Sequence, residues 1–117
     1  MLLNFQNVED IKKVLNNLTS QEKLELANNI YIGCNQSDFI DSKGNFIEEL
    51  DKETEINKFY EELNNIFIKT YNNHKKVEKY LIQKLQEASK YFDIDKKDIN
   101  KIDLQYLDDR CAEIFEY

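Results

Sequence analysis

The sequence has no proline, and its only glycines are Gly33 and Gly44. Because these residues interrupt regular structure, their scarcity favours long helices, as does the abundance of Lys, Glu, Leu and Gln. No apolar run approaches the roughly 18 residues that span a bilayer, and from the polar residues that follow Leu3 we expect no signal peptide. We therefore expect a soluble cytoplasmic protein with a mainly α fold and a single domain over residues 1–117.

Apolar side chains recur at helical spacing through most of the chain. This pattern predicts a compact bundle of four to five helices near residues 6–18, 20–33, 56–71, 77–92 and 104–115. Thr19 and Glu22 match a capping box before the second helix, and Asp103 is placed to cap the last one. Gly33 suits the end of the second helix. Short apolar pairs around a polar turn favour a small β-hairpin near residues 38–47, with an ordered loop as the alternative.

Residues that commonly bind metals or carry out catalysis are scarce. His74 is the only histidine, and it lies at a polar junction between two predicted helices. One imidazole cannot form a histidine-based metal cluster, and no phosphate loop or nucleophile motif is present. The stretch from Asp41 to Phe46 hints at a calcium loop, but no register supplies the ligands that an EF-hand needs. We expect no enzyme activity, no cofactor and no metal site.

Cysteine is also rare, since Cys34 and Cys111 are the only two. They do not have the spacing of a redox or zinc motif. In a chain without an export signal, this pattern predicts reduced and partly buried thiols. A structural disulfide and a reactive thiol are the alternatives.

The formal net charge is −7, and it is distributed unevenly along the chain. Residues 41–62 carry −5 and residues 93–117 carry −4, whereas residues 69–90 carry +4. A negative chain is poorly suited to nucleic acid, because contacts with phosphates supply most of that affinity. Arg110 is the only arginine, and arginine is the side chain best suited to bidentate recognition of phosphates and bases. We expect no direct nucleic-acid binding and no membrane binding.

The candidate partner-binding residues lie in the two acidic stretches. Acids in the first stretch exceed what helix capping requires, and Tyr106 falls off the apolar stripe of the last helix, where an exposed tyrosine suits an interface. The candidates are Glu48, Glu49, Asp51, Glu53, Glu55, Glu61, Glu62, Asp103, Tyr106, Asp108 and Asp109. A row of carboxylates about 6 Å apart along a helix can imitate a phosphate backbone. The alternative is that the basic fourth helix neutralises these acids within the fold.

Composition and charge leave three classes of function. The first is a non-enzymatic inhibitor or neutraliser of another protein with a basic surface, of the toxin-immunity or phage anti-CRISPR type. The second is a structural or regulatory helical module that forms a homodimer or joins a larger complex. The third class is an enzyme or a helix-turn-helix regulator of DNA. An enzyme is disfavoured by the absence of catalytic motifs. A DNA-binding regulator is disfavoured because Lys23 is the only cation on the second predicted helix.

Overall fold

The computed structural model describes residues 1–36 and 53–117. Those residues form a mainly α-helical bundle, which confirms the predicted fold class, while the predicted hairpin near residues 38–47 lies outside them. The α-helices of the described part are α1 (Val8–Leu15), α2 (Ser20–Gln36), α3 (Glu53–Thr70), α4 (His74–Glu87) and α5 (Leu104–Phe115). Two 3-10 turns, Ser89–Tyr91 and Lys96–Lys101, lie between α4 and α5. None of these described helices combines the length and hydropathy that a bilayer-spanning segment requires.

Both helix caps predicted from the sequence are confirmed. The Thr19 hydroxyl accepts a hydrogen bond from the Glu22 amide at 3.1 Å, and the Glu22 carboxylate accepts one from the Thr19 amide at 2.9 Å. At the start of α5, the Asp103 carboxylate accepts from the Tyr106 amide at 2.9 Å. Asparagine side chains cap α1 and α4 in the same way. These bonds satisfy amides that have no partner inside the helix.

Helix α2 is the central element of the bundle, because α3, α4 and α5 all pack against it. Its side chains at Leu26, Ala27 and Ile30 are fully buried. Helix α1 packs against α4 and the 3-10 turn before α5, and it buries Ile11 and Val14 completely. The apolar stripes seen in the sequence therefore meet in one core.

Four aromatic side chains connect three of the helices. Tyr31 comes from α2, Phe67 from α3 and Tyr80 from α4, while Tyr71 directly follows α3. Their ring centroids lie between 4.7 and 6.4 Å apart, within the range of favourable aromatic contacts. Burial raises the pKa of the Tyr71 and Tyr80 phenols. This aromatic cluster fastens α3 to the rest of the bundle.

Two of the helices are shorter at their C-terminal ends than the sequence predicts. Helix α1 ends at Leu15 instead of near Leu18, and α4 ends at Glu87 instead of near Phe92. In both cases the chain leaves the helix through a turn while its apolar residues stay in the core, since Leu18 and Phe92 are buried. The spacing of apolar residues indicates which side chains are buried. Here the buried side chains continue past the last hydrogen bond of each helix, so the pattern overestimates the length of the helix.

The predicted end of the second helix at Gly33 is wrong, because α2 continues to Gln36. Gly33 is a buried residue inside the helix, and the end of α5 lies directly against it. A Cβ at this position would lie 2.5 Å from the Phe115 carbonyl oxygen and 2.8 Å from the Tyr117 ring. The glycine is therefore needed for the close approach of two chain segments, rather than for a helix terminus.

Candidate functional site

The outer face of α5 carries the candidate residues that the structure brings together. Leu107 and Cys111 are buried on the inner face of the helix. Tyr106, Asp109 and Glu113 follow each other at intervals of three and four residues, so they share the opposite face. Tyr106 is 37% exposed, and Asp109 and Glu113 are exposed.

The only arginine joins the backbone of a second exposed tyrosine to α5. The Arg110 Nη2 donates a hydrogen bond to the Tyr91 carbonyl oxygen at 2.6 Å. Because Arg110 is four residues after Tyr106, it lies next to Tyr106 on the helix surface. Tyr91 is 48% exposed, and the Lys90 ammonium lies 5.1 Å from its ring centroid.

We call the set of Tyr91, Asp103, Tyr106, Asp109 and Glu113 the α5 acidic face. Its carboxylates are largely solvated, since the only salt bridge that they form within the described part of the chain joins Glu113 to Arg110 at 3.8 Å. Asp103 caps α5 while remaining exposed. An exposed tyrosine on the same helix face as solvated acids is suited to contact a basic protein surface.

Asp108, another predicted candidate, has a different environment. It is only partly exposed, and its Oδ1 accepts hydrogen bonds from Asn29 Nδ2 at 3.1 Å and from the Tyr117 hydroxyl at 2.7 Å. Burial and the hydrogen bond to Asp108 both raise the pKa of the Tyr117 phenol. The Asp108 carboxylate therefore joins α5 to α2 and to the C-terminal residue, which fixes the orientation of the α5 acidic face.

The acidic candidates of the first stretch are not part of this face. Glu61 and Glu62 are exposed on α3, a separate helix that packs on α2. Glu48, Glu49 and Asp51 lie outside the described residues, and so do the side chains of Glu53 and Glu55. The partner-binding role of all these acids stays a prediction.

Neutralisation of acidic helices by the basic α4 is not observed in the described residues. The salt bridges there are three pairs at i,i+3 spacing, which are Lys84–Glu87, Asp98–Lys101 and Arg110–Glu113, and one between the Met1 amino group and Asp95. None of these pairs joins α3 or α5 to α4. Surface pairs of this kind contribute at most about 1 kcal/mol each.

A cavity of about 460 Å³ lies between the start of α2 and the junction of α3 with α4. Leu24, Ile68, Tyr71 and Val77 form its apolar wall, and His74 lies at its rim. Ile68 is 54% exposed and falls off the apolar stripe of α3, so periodicity alone could not have located this cavity. No hydrogen-bond partner orients the His74 imidazole in the described residues, although a general base requires one.

Both cysteines are present as thiols, Cys34 partly buried and Cys111 buried, as the sequence analysis predicts. Burial raises the pKa of Cys34, although the positive charge of Lys84, and to a smaller extent its hydrogen bond, oppose this shift. Burial also raises the pKa of Cys111 to about 12, with a smaller contribution from the Asp108 charge. Neither thiol has the lowered pKa that characterises reactive cysteines.

The raised pKa of Cys111 predicts a loss of stability in alkali. In the unfolded chain this thiol ionises near 9.0, so above that pH the unfolded state releases a proton that the folded state keeps. The contribution of this thiol to the free energy of unfolding is fully present below about pH 9, and it decreases progressively as the pH rises to about 12. At pH 10 we expect a decrease of about 1.4 kcal/mol in the free energy of unfolding from this group alone.

Urea unfolding at a series of pH values measures this effect. The Cys111→Ala variant is the control, because its stability should fall less steeply between pH 8 and pH 10 than that of the wild type. Equal slopes for the two proteins would contradict the prediction.

Comparison with known proteins found no match. No protein-family model matches the chain, and no curated protein and no solved structure is significantly similar to it.

Proposed function

We propose that this chain is a non-enzymatic protein that binds and inhibits or neutralises a partner protein with a basic surface in the cytoplasm. The observation that supports this proposal is the α5 acidic face, where the exposed Tyr106 shares a helix face with Asp109 and Glu113, and where Arg110 joins the backbone of the exposed Tyr91 to α5. Within the described part of the chain, Glu113 pairs with Arg110, whereas Asp103 and Asp109 form no salt bridge. Exposed carboxylates without a salt bridge remain available to bind a partner protein.

The physical basis of binding is a division of roles between the acids and the tyrosines. Solvated carboxylates attract a basic partner from a distance and increase the rate of association. Tyrosines bury a large apolar area at a small entropic cost, and they are enriched among the residues that dominate binding energy. Asp109 and Glu113 are one helical turn apart, so their carboxylates are separated by about 6 Å. This spacing resembles that of successive phosphates, which a basic channel binds.

The test compares two variants with the same change in net charge. One carries Asp109→Lys and Glu113→Lys on α5, and the other carries Glu61→Lys and Glu62→Lys on α3. Immobilised wild-type protein captures its partner from a lysate of the source cell, and the affinity of the purified partner is then measured by calorimetry. We expect the α5 variant to lose at least about tenfold in affinity, because acids at a contact matter more than acids elsewhere.

Tyr106→Ala should weaken binding by a similar factor without a change in charge, since a tyrosine anchor typically contributes more than about 1 kcal/mol. Circular dichroism of each variant verifies that the fold is intact. If the α3 variant lost affinity while the α5 variant kept it, the first acidic stretch would be the binding surface. Unchanged affinity in both variants would refute an acidic interface. A stable dimer in light scattering, with no captured partner, would favour the homodimeric module instead.

A further inference from the structure

A second charged surface, of opposite sign, lies between α1 and α4. The two helices leave a groove of about 300 Å³ between them, which we call the α1–α4 groove. Its lining residues are Val8, Lys12, Lys75, Glu78, Lys79 and Ile82. It shares no residue with the α5 acidic face.

Three lysines and one glutamate, Glu78, line the groove, so its rim is net positive. Lys12, Lys75 and Lys79 are all exposed, and none of them forms a salt bridge with another described residue. Lys75 and Lys79 are four residues apart on α4, where like charges repel each other and destabilise the helix by a few tenths of a kcal/mol. An anionic ligand placed between their ammonium groups would reduce this repulsion.

The floor of the groove is apolar. Val8 is 37% exposed at the start of α1, and Ile82 on α4 is partly buried where it packs against the core. A positive rim around an apolar floor discriminates among anions. A nucleic-acid backbone would use the lysines but would leave the apolar floor without a contact, whereas a peptide can satisfy both.

From this arrangement we infer that the α1–α4 groove binds an acidic amphipathic helix of a partner protein. Carboxylates at i and i+4 of such a helix are about 6 Å apart, which matches the spacing of Lys75 and Lys79 on α4. The part of α4 that lines the groove, from Lys75 to Ile82, is about 10 Å long, which is enough to contact two turns of a bound helix. Apolar side chains between the acids of that helix would contact Val8 and Ile82.

The inference does not depend on the proposed function, because it concerns other residues and a partner of opposite charge. A chain with both surfaces can hold a basic protein on α5 and an acidic one on α1 and α4.

Electrostatic attraction at such exposed groups is screened by salt, so binding of the acidic helix should weaken between about 50 and about 200 mM salt.

The test uses a defined probe, a fluorescein-labelled peptide of about 16 residues with Glu at i,i+4 spacing and Leu on the adjacent helix face. Fluorescence anisotropy measures its affinity for the intact chain. The groove variant carries Lys75→Gln and Lys79→Gln. The matched control carries Lys96→Gln and Lys97→Gln, because these lysines are also exposed and lie outside the groove. We expect at least a tenfold loss for the groove variant and less than a twofold change for the control.

A scrambled peptide of the same composition separates the two parts of the inference. It keeps the charge but loses the apolar face, and we expect it to bind at least fivefold more weakly. Equal affinity of both peptides, equal loss in both variants, or no binding of the ordered peptide at low salt would overturn the inference. Tighter binding of phosphatidylserine vesicles or duplex DNA through the same lysines would also overturn it. So would salt-sensitive self-association that the groove variant abolishes, because the occupant would then be a second copy of the chain.

Discussion

Replacement of Phe67 by alanine is expected to lower the free energy of unfolding by about 3 to 5 kcal/mol. Phe67 is fully buried, and its ring lies 5.0 Å from that of Tyr71, 5.6 Å from that of Tyr31 and 6.4 Å from that of Tyr80. Alanine would remove the α3 member of the cluster that joins α2, α3 and α4. The expected loss combines the lost burial of apolar surface with the cavity that remains in a packed core.

Urea unfolding followed by circular dichroism measures this change. Ile68→Ala is a suitable control, because Ile68 is the next residue on α3 and is 54% exposed. We expect the control to lose less than about 1 kcal/mol. A broader transition in Phe67→Ala, with a lower dependence on urea concentration, would indicate that α3 separates before the rest of the bundle. Similar losses in the two variants would contradict the packing described for Phe67.

The helices, and the starts of α2 and α5, were predictable because local residues determine them. The Thr19–Glu22 capping box and the Asp103 cap use side chains within three residues of the amides that they bind. The apolar stripes likewise depend only on spacing along the chain. Helix ends were less predictable, because a turn that keeps Leu18 or Phe92 buried has the same hydrophobic pattern as a continued helix.

The candidate site was predictable only in part, for a related reason. Periodicity placed Tyr106 away from the buried stripe of α5, and the structure leaves it partly exposed. Glu113 was not among the predicted candidates, although its position four residues after Asp109 is a local signal for the same face. Tyr91 could not have been included from the sequence, because an arginine 19 residues away holds it beside α5. The inward contacts of Asp108 with Asn29 and Tyr117 are likewise tertiary.

Gly33 is the residue for which a local rule and the tertiary structure disagree most clearly. In a helix interior, replacing glycine by alanine normally adds about 1 kcal/mol of stability. Here the added Cβ would lie 2.5 Å from the Phe115 carbonyl oxygen, a distance at which atoms must move apart. The oxygen belongs to the backbone, so the end of α5 would have to shift as a unit.

We expect Gly33→Ala to lower the free energy of unfolding by about 2 kcal/mol, because overpacking typically costs about 1 to 3 kcal/mol and exceeds the gain in helix propensity. The shift would also disturb the hydrogen bond from Tyr117 to Asp108, which orients the α5 acidic face. Thermal or urea unfolding gives the sign of the change, with Glu25→Ala at an exposed site of the same helix as the control. Since alanine favours a helix at both positions, a gain in both variants would show that α5 does not approach α2 this closely. A loss at Gly33 alone would establish that the close approach of the α5 terminus, and not the end of a helix, requires glycine there.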